Sequence, residues 1–377
     1  MRKVTILALH LGYGGIERAI TNIANGICDD YEVTIVSTYQ IYEEPFFPLN
    51  PRIKVEYLLP HVSPNREALK KAKNHPLLLM KELNKAIHIY RLRKKAMVAY
   101  IKSCKSDIII TTRDIHNLWL SKYGRPGPIK IATEHNHHND NQKYIRKIIT
   151  SVKNLDYFVL VSKELQQFYQ AKLQESSCQC IYIPNSLDEL PPKISPLTQK
   201  NIISIGRLVK EKGYEDLIEV MALLHQDYPD WTLTIIGSGV LKEKLERQIE
   251  EKNLQDTITL LGFQKKEVIN RFFAKSSLYV MSSYTESFGI VLLEAFAYGI
   301  PCLAFDSAQG AREIITSNRN GYLVANRNLN EMVKRIKELI AQENKRKVMG
   351  LSARRVAENY EYRVIAKEWK DLFEKAK

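Results

Sequence analysis

The sequence predicts an α/β protein built from two doubly wound parallel sheets, and three observations carry that prediction. Short β-branched runs, apolar throughout, alternate with helix-like segments, as strands do when crossover helices bury both their faces. The alternation occurs twice, divided by "NSLDELPPKISPLTQK", which carries three prolines and no apolar period. A chain of 377 residues also exceeds what one ordinary core serves, so two domains are expected.

The first set of strands is expected at Val4–Leu9, Val33–Ser37, Ile108–Thr112, Ile129–Thr133, Tyr157–Ser162 and Ile181–Ile183. The second is expected at Ile202–Ile205, Leu233–Ile236, Ile258–Leu261, Leu278–Met281 and Pro301–Phe305. The linker falls near 186–198, which gives domains over 1–187 and 188–358. Their strands' carboxyl ends should face a cleft, where ligands bind in such sheets. The last stretch, "YEYRVIAKEWKDLFEKAK", is helical in pattern, with Ile365, Trp369, Leu372 and Phe373 on one face.

At 45% hydrophobic and 26% charged, the composition is that of a soluble globular protein. It has no run of eighteen apolar residues, so no membrane span is expected. The opening "MRKVTILALHLGYGG" has the basic start and apolar run of a signal peptide, but it fits a first buried strand and its turn better. Five cysteines, odd in number and without C-x-x-C spacing, read as reduced cytosolic thiols.

Chemistry-bearing residues cluster after the predicted strands. "SIGRLVKEKGYEDLI" sets Arg207 and Lys212 on a strand-to-helix loop, where two cations suit a diphosphate. "IIGSG" and "LLGFQ" put glycine turns at Gly237 and Gly262, with Phe263 beside the second. In "SYTESFGIVLLEAFAYGIP", Glu286 precedes a helix-like run and Glu294 lies inside it. Ser287 is the expected N-cap, with the helix starting near Phe288 and Gly289, whose N–H groups could hold a diphosphate. Were the run helical throughout, the glutamates would stand about 12 Å apart, roughly a sugar–diphosphate–ribose span. Glu286 could then grip a sugar and Glu294 the ribose. "LGYGGIER" follows the first strand and lets backbone at Gly14 and Gly15 approach a phosphate. Glu17 stands where the dinucleotide fingerprint needs its third glycine, so this is not that motif. "IATEHNHHND" carries three histidines after a strand. A metal at His137, His138 and Asp140 is not expected, because adjacent histidines point different ways.

In this order, these elements resemble the family 4 retaining glycosyltransferases of the GT-B fold. The resemblance covers the whole chain and is strongest over 200–325. It implies a metal-independent, cofactor-free transferase that moves a hexose from a nucleotide sugar, UDP favoured and GDP next, to a glycan or lipid-linked acceptor in cell-envelope or capsular polysaccharide synthesis. It implies that Arg207 and Lys212 neutralise the leaving diphosphate, that Glu286 contacts the donor sugar with Ser287, Phe288 and Gly289, and that Glu294 holds the ribose. Gly237, Gly262 and Phe263 would lie along the nucleotide, Gly14 and Gly15 would face the donor, and His135 would stand at the reacting centre. Where many members follow that histidine with Asp, this chain has Asn136. The C-terminal helix, 359–377, is expected to pack back on the first domain.

The charge of +14 is unevenly placed. Between Arg66 and Lys105 there are twelve Lys/Arg and two acids, a local +10 that calls for an anionic partner. A helix is expected from Pro76, with Leu79, Met80, Leu83, Ile87, Tyr90, Met97 and Ile101 as an apolar stripe. Two readings stay open: a surface helix packed on its own domain, or an interfacial helix presenting Lys81, Lys85, Arg91, Arg93, Lys94 and Lys95 to an anionic membrane. The second implies a cytoplasmic protein at the inner face of the plasma membrane. Nucleic acid is not expected as a partner, since no recognition module appears. The alternatives to transfer are a nucleotide-sugar epimerase of the same fold and a basic membrane-surface protein without catalysis.

Overall fold

A computed structural model describes residues 1–375; Ala376 and Lys377, which end the predicted C-terminal helix, lie outside the described residues. The chain forms two compact units, one of Met1–Pro184 with the segment from Ile365 on, the other of Asn185–Val364.

The first unit holds seven strands: β1 (Lys3–Ala8), β2 (Glu32–Tyr39), β3 (Lys54–Leu59), β4 (Ile108–Thr111), β5 (Ile129–Glu134), β6 (Tyr157–Leu160) and β7 (Gln179–Tyr182). They pair in parallel in the order β3-β2-β1-β4-β5-β6-β7. Its helices are α1 (Gly15–Ile27), α2 (Arg66–Lys71), α3 (Pro76–Ser103), α4 (Asp114–Tyr123), α5 (Gln142–Val152) and α6 (Lys163–Lys172). The second unit holds β8 (Asn201–Ile205), β9 (Thr232–Ile236), β10 (Ile258–Gly262), β11 (Leu278–Met281), β12 (Cys302–Phe305) and β13 (Gly321–Val324), in the parallel order β10-β9-β8-β11-β12-β13. Its helices are α7 (Tyr214–His225), α8 (Lys242–Glu251), α9 (Lys266–Phe273), α10 (Ile290–Ala297), α11 (Ala311–Ile314), α12 (Leu329–Ala341) and α13 (Glu343–Glu358), and α14 (Tyr362–Lys375) follows.

Central strands such as β4, β11 and β12 are buried at every position, which explains their uninterrupted apolar sequence. Two strands escape that pattern. β3 begins with alternating exposed and half-buried residues at the sheet edge, and β13, at the edge of the second sheet, is half-buried at Leu323. On α14, Ile365, Trp369, Leu372 and Phe373 are buried together. Phe373 meets Tyr31 edge-on at 5.2 Å, and its carbonyl accepts from Arg2 Nη1 at 2.8 Å, so α14 is packed against the first sheet's N-terminal elements.

All five cysteines are free and buried. Burial pushes the Cys178 and Cys180 thiols up to about 12.

His116 on α4 is fully buried, and burial pushes its imidazole down to about 3. The folded state therefore keeps it neutral while the unfolded chain protonates it below its ordinary value of 6.5. Between that value and the folded one, the unfolded state binds the extra proton, so stability falls with acidification by about 1.4 kcal/mol per pH unit. Urea unfolding of the protein and a His116→Phe variant between pH 7 and 5 checks this. The variant should lose that part of the acid slope, and equal slopes would refute it.

Candidate active site

In each sheet the chain reverses its winding between two neighbouring strands, and ligands bind outside the carboxyl ends at that switch. In the second unit these strands are β8 and β11. The loop after β8 carries Gly206, Arg207 and Lys212, and that after β11 carries Ser282–Gly289. Lys212 Nζ pairs with Glu286, so one ion pair bridges the switch, with both side chains about four-fifths buried (20% and 18% exposed). Arg207 is exposed at the start of its loop.

Local geometry sets this pairing. Lys210–Lys212 is a single 3-10 turn that ends at Gly213, left-handed at φ 63°. A Cβ on Gly213 would stand 2.2 Å from the Ser282 carbonyl oxygen, so glycine is required both by conformation and by space. Ser282 Oγ donates to the Lys212 carbonyl at 2.8 Å, tying the two loops together.

The expected helix start needs correcting. α10 begins at Ile290, with Gly289 in the cap position at φ 85°; Ser287 is not the cap, and Glu286 is off the helix. The cause is tertiary: Phe288 is buried at 1% exposure, the Gly310 N–H donates to the Glu286 carbonyl at 2.8 Å, and the Gly310 backbone packs on Phe288. A helical rise therefore does not measure the separation of the two glutamates. Glu294 sits half-buried on α10.

Sequence reasoning missed Arg327. Its Nη1 donates to the Ser283 carbonyl at 3.0 Å and Ser307 Oγ at 3.1 Å, and its Nη2 donates to the Ser282 carbonyl at 2.9 Å and pairs with Asp216. The guanidinium also lies 3.7 Å from the Tyr284 ring centroid and 4.4 Å from that of Phe305. One side chain thus holds the strand exit that leads to Glu286. Gly237 and Gly262 end β9 and β10; the Gly237 N–H donates to the Gly262 carbonyl at 2.9 Å, and a Cβ on Gly237 would strike Gly206. Phe263, next along, is 48% exposed.

In the first unit, His135 follows β5, and its Nε2 lies 3.0 Å from Thr133 Oγ1. Glu134, only 5% exposed, organises the turn. Its Oε1 accepts from the His135 N–H at 2.9 Å, the Asn136 N–H at 2.8 Å and Asn136 Nδ2 at 3.0 Å, and its Oε2 accepts from the Tyr144 hydroxyl at 2.8 Å. Burial raises the Glu134 carboxyl above its ordinary value, against these donors. The only sequence signal for this role was an acid at the buried end of a strand. His138 stacks on Phe168 at 3.9 Å and accepts from the Asp140 N–H, as core histidines do. Among the described residues, no group of three His, Cys, Asp or Glu side chains is placed to hold a metal.

Gly14 acquires a packing reason: a Cβ there would fall 2.0 Å from Glu17 Oε2, whereas Gly15 has open space. Glu17 is 3% exposed and accepts from Arg113 Nη2 at 2.5 Å, with His10 Nδ1 3.6 Å away. This pair bridges the first sheet's own switch, between β1 and β4.

Two parallel-sheet units of this kind are the architecture of the GT-B fold, and solved GT-B enzymes share it with this chain. A mutant of S. aureus TarM in complex with fondaparinux, α-GlcNAc-glycerol and UDP superposes with a TM-score of 0.79 over 99% of this chain and 100% of that one, at 18% identity. Residues 188–356, most of the second unit, match the family described as glycosyl transferases group 1. An uncharacterized glycosyltransferase of Haemophilus influenzae is 27% identical over 99% of this chain and all of its own length. A Campylobacter jejuni α-1,4-N-acetyl-D-galactosaminyltransferase, named for a GalNAc-containing diNAcBac-PP-undecaprenol substrate, is 24% identical over 100% of this chain and 99% of its own.

From Pro76 the basic stretch forms α3, one helix of 28 residues, and its apolar stripe divides. Of the expected stripe, Met97 and Ile101 are buried in the unit, while Met80 (60% exposed), Leu83, Ile87 and Tyr90 face outward; outside it, Ile89 is buried and Leu77 is 83% exposed. Lys81, Lys85, Arg91 and Lys95 are exposed; Lys94 is half-buried. Arg93 departs from the expected basic face: it is half-buried, 5.7 Å from the Trp119 ring centroid and 5.5 Å from that of Tyr90. No helix of the described residues is long and apolar enough to cross a membrane.

Proposed function

We propose that this glycosyltransferase moves a hexose-type sugar, with retention of configuration and without a metal, from a UDP-sugar to a hydroxyl of a glycan or lipid-linked acceptor in cell-envelope polysaccharide synthesis. The observation that carries the reading is the Lys212–Glu286 pair at the second unit's switch point. A donor diphosphate takes Lys212 and Arg207 as counter-charges, and its sugar hydroxyls take Glu286 as acceptor, so the two halves of one ligand replace the two halves of the ion pair. Glu294 and the Gly262–Phe263 turn are assigned to ribose and base, and His135 to the reacting sugar. The acceptor hydroxyl attacks the anomeric carbon while the cations stabilise the departing diphosphate. UDP in the TarM complex and the undecaprenol-linked name of the C. jejuni relative support donor and acceptor class respectively.

A thermal-shift screen with UDP, GDP, ADP, CMP and their sugars in metal-free buffer tests this, because a ligand that binds the native state raises its melting temperature. A selective shift with UDP and its sugars is expected. No shift with any nucleotide would remove the proposal's main support.

The outward half of α3 supports peripheral attachment to an anionic membrane: apolar side chains stand beside exposed lysines, the layout of an interfacial helix. Lys81→Gln, Lys85→Gln and Arg91→Gln together should weaken binding to phosphatidylglycerol vesicles about a hundredfold, at about 1 kcal/mol per charge. Sedimentation unchanged by these substitutions would end the idea.

A further inference from the structure

Beyond α3, a second exposed apolar feature lies on the first unit. Tyr13 (53% exposed), Tyr42 (51%) and Phe47 gather around Phe46 (36%) on the loops after β1 and β2. Phe46 meets Tyr13 and Phe47 edge-on at 5.2 Å each, Tyr42 lies 6.2 Å from Phe46, and Tyr13 lies near-parallel to Phe47 at 6.4 Å. The Phe46 N–H donates to the Leu11 carbonyl at 2.9 Å, which fixes one loop on the other. Interlocked rings held by backbone are a built surface, and a contiguous exposed patch of this kind marks a binding site.

Its borders say what it binds. Gly12 joins the rings to a polar cluster: a Cβ there would touch Tyr42 and His10 Nδ1, both at 3.3 Å. His10 leads to the Glu17–Arg113 pair, and the Arg113 Nε–H is buried with no hydrogen-bond partner. Between Tyr42 and Phe46 in the same loop, Glu43 and Glu44 are exposed. Aromatic faces rimmed by carboxylate, imidazole and guanidinium fit a pyranose, whose ring has apolar C–H faces and a belt of hydroxyls. Two adjacent carboxylates repel an anionic lipid surface, and the polar border is wasted on a hydrocarbon tail.

We propose that Tyr13, Tyr42 and Phe46, with His10 and Arg113 at their edge, form a pyranose-binding subsite for a sugar of the acceptor. The proposal rests on the transferase reading above. It places the bound sugar on the same carboxyl edge as His135, since in the order β2-β1-β4-β5 the loops after β1 and β2 stand two and three strand spacings from β5, roughly 10 and 14 Å. The subsite therefore holds a sugar remote from the reacting hydroxyl, and the acceptor is an oligosaccharide or repeating glycan rather than a single residue.

Saturation-transfer NMR of the full chain with chitobiose, maltose, cellobiose and lactose tests the assignment, with phosphatidylglycerol vesicles as a separate arm. At least one disaccharide should receive saturation on its ring C–H protons without nucleotide present. Tyr42→Ala with Phe46→Ala should weaken that binding about tenfold, whereas Tyr42→Trp alone, which keeps an aromatic face, should retain it. Retention of the UDP-induced shift in melting temperature shows that the variant is folded and reports on the donor reading independently. Binding of none of the sugars, binding unchanged in the double variant, or loss of vesicle binding instead of sugar binding would each overturn the subsite. A missing UDP shift in the wild type would overturn the donor reading and leave the subsite standing.

Discussion

Arg327→Ala should be the most damaging single substitution in the second unit. It removes three hydrogen bonds to strand-exit groups besides the Asp216 pair, and two aromatic contacts. The side chain is 18% exposed, so the cost belongs at the lower end of the range for breaking a buried pair, about 3 kcal/mol. For a unit of this size that corresponds to a melting temperature lower by roughly 6–12 °C. Arg327→Lys keeps the charge but not the planar fork, and should fall between the two. Because the same guanidinium holds the loop carrying Glu286, the UDP-induced shift should shrink in parallel. Differential scanning calorimetry with and without UDP checks both; a variant that melts with the wild type would show that the network is redundant.

Lys212→Gln should carry the largest effect on turnover. In the proposed diphosphate role, loss of this one preorganised charge costs about a hundredfold in kcat. Glu286→Gln should also lower activity, through the sugar end of the donor. Because the two side chains pair with each other, the double variant should lose less than the product of the single losses. Initial rates with the nucleotide sugar picked out by the thermal-shift screen decide the matter. Lys212→Gln with half or more of wild-type turnover would rule out the diphosphate role.

Where a residue's role is set by its strand or turn, the sequence made it legible. The parallel runs, Lys212 on its strand-to-helix loop and the α3 helix from Pro76 follow from apolar periodicity and glycine spacing, which act within a few residues. β3 was missed because "KVEYLL" half-alternates at an edge, unlike its doubly buried neighbours. Arg327 was hidden for a different reason. It lies 111 positions from Asp216, and nothing in "VANRNLN" distinguishes it from a solvated arginine. Ser287 looked like a cap because serine caps helices well; burial of Phe288 and the left-handed Gly289 moved the start past it. Glu17 was noticed only as a departure from a glycine motif, yet its carboxylate accounts for Gly14 and anchors Arg113. The split stripe of α3 had the same origin: periodicity marks an apolar face but not which half of it the domain covers.

The buried thiols have a practical corollary. Alkylating reagents need both an accessible sulfur and its thiolate form, and none of the native cysteines offers the first. To a maleimide, the folded protein behaves as though it lacked cysteine. A single one introduced by Leu77→Cys, at the most exposed apolar position of α3, would then be the sole attachment point for a fluorophore or spin label. The native chain is thereby suited to single-site depth measurements against a bilayer, without first stripping out its own sulfur.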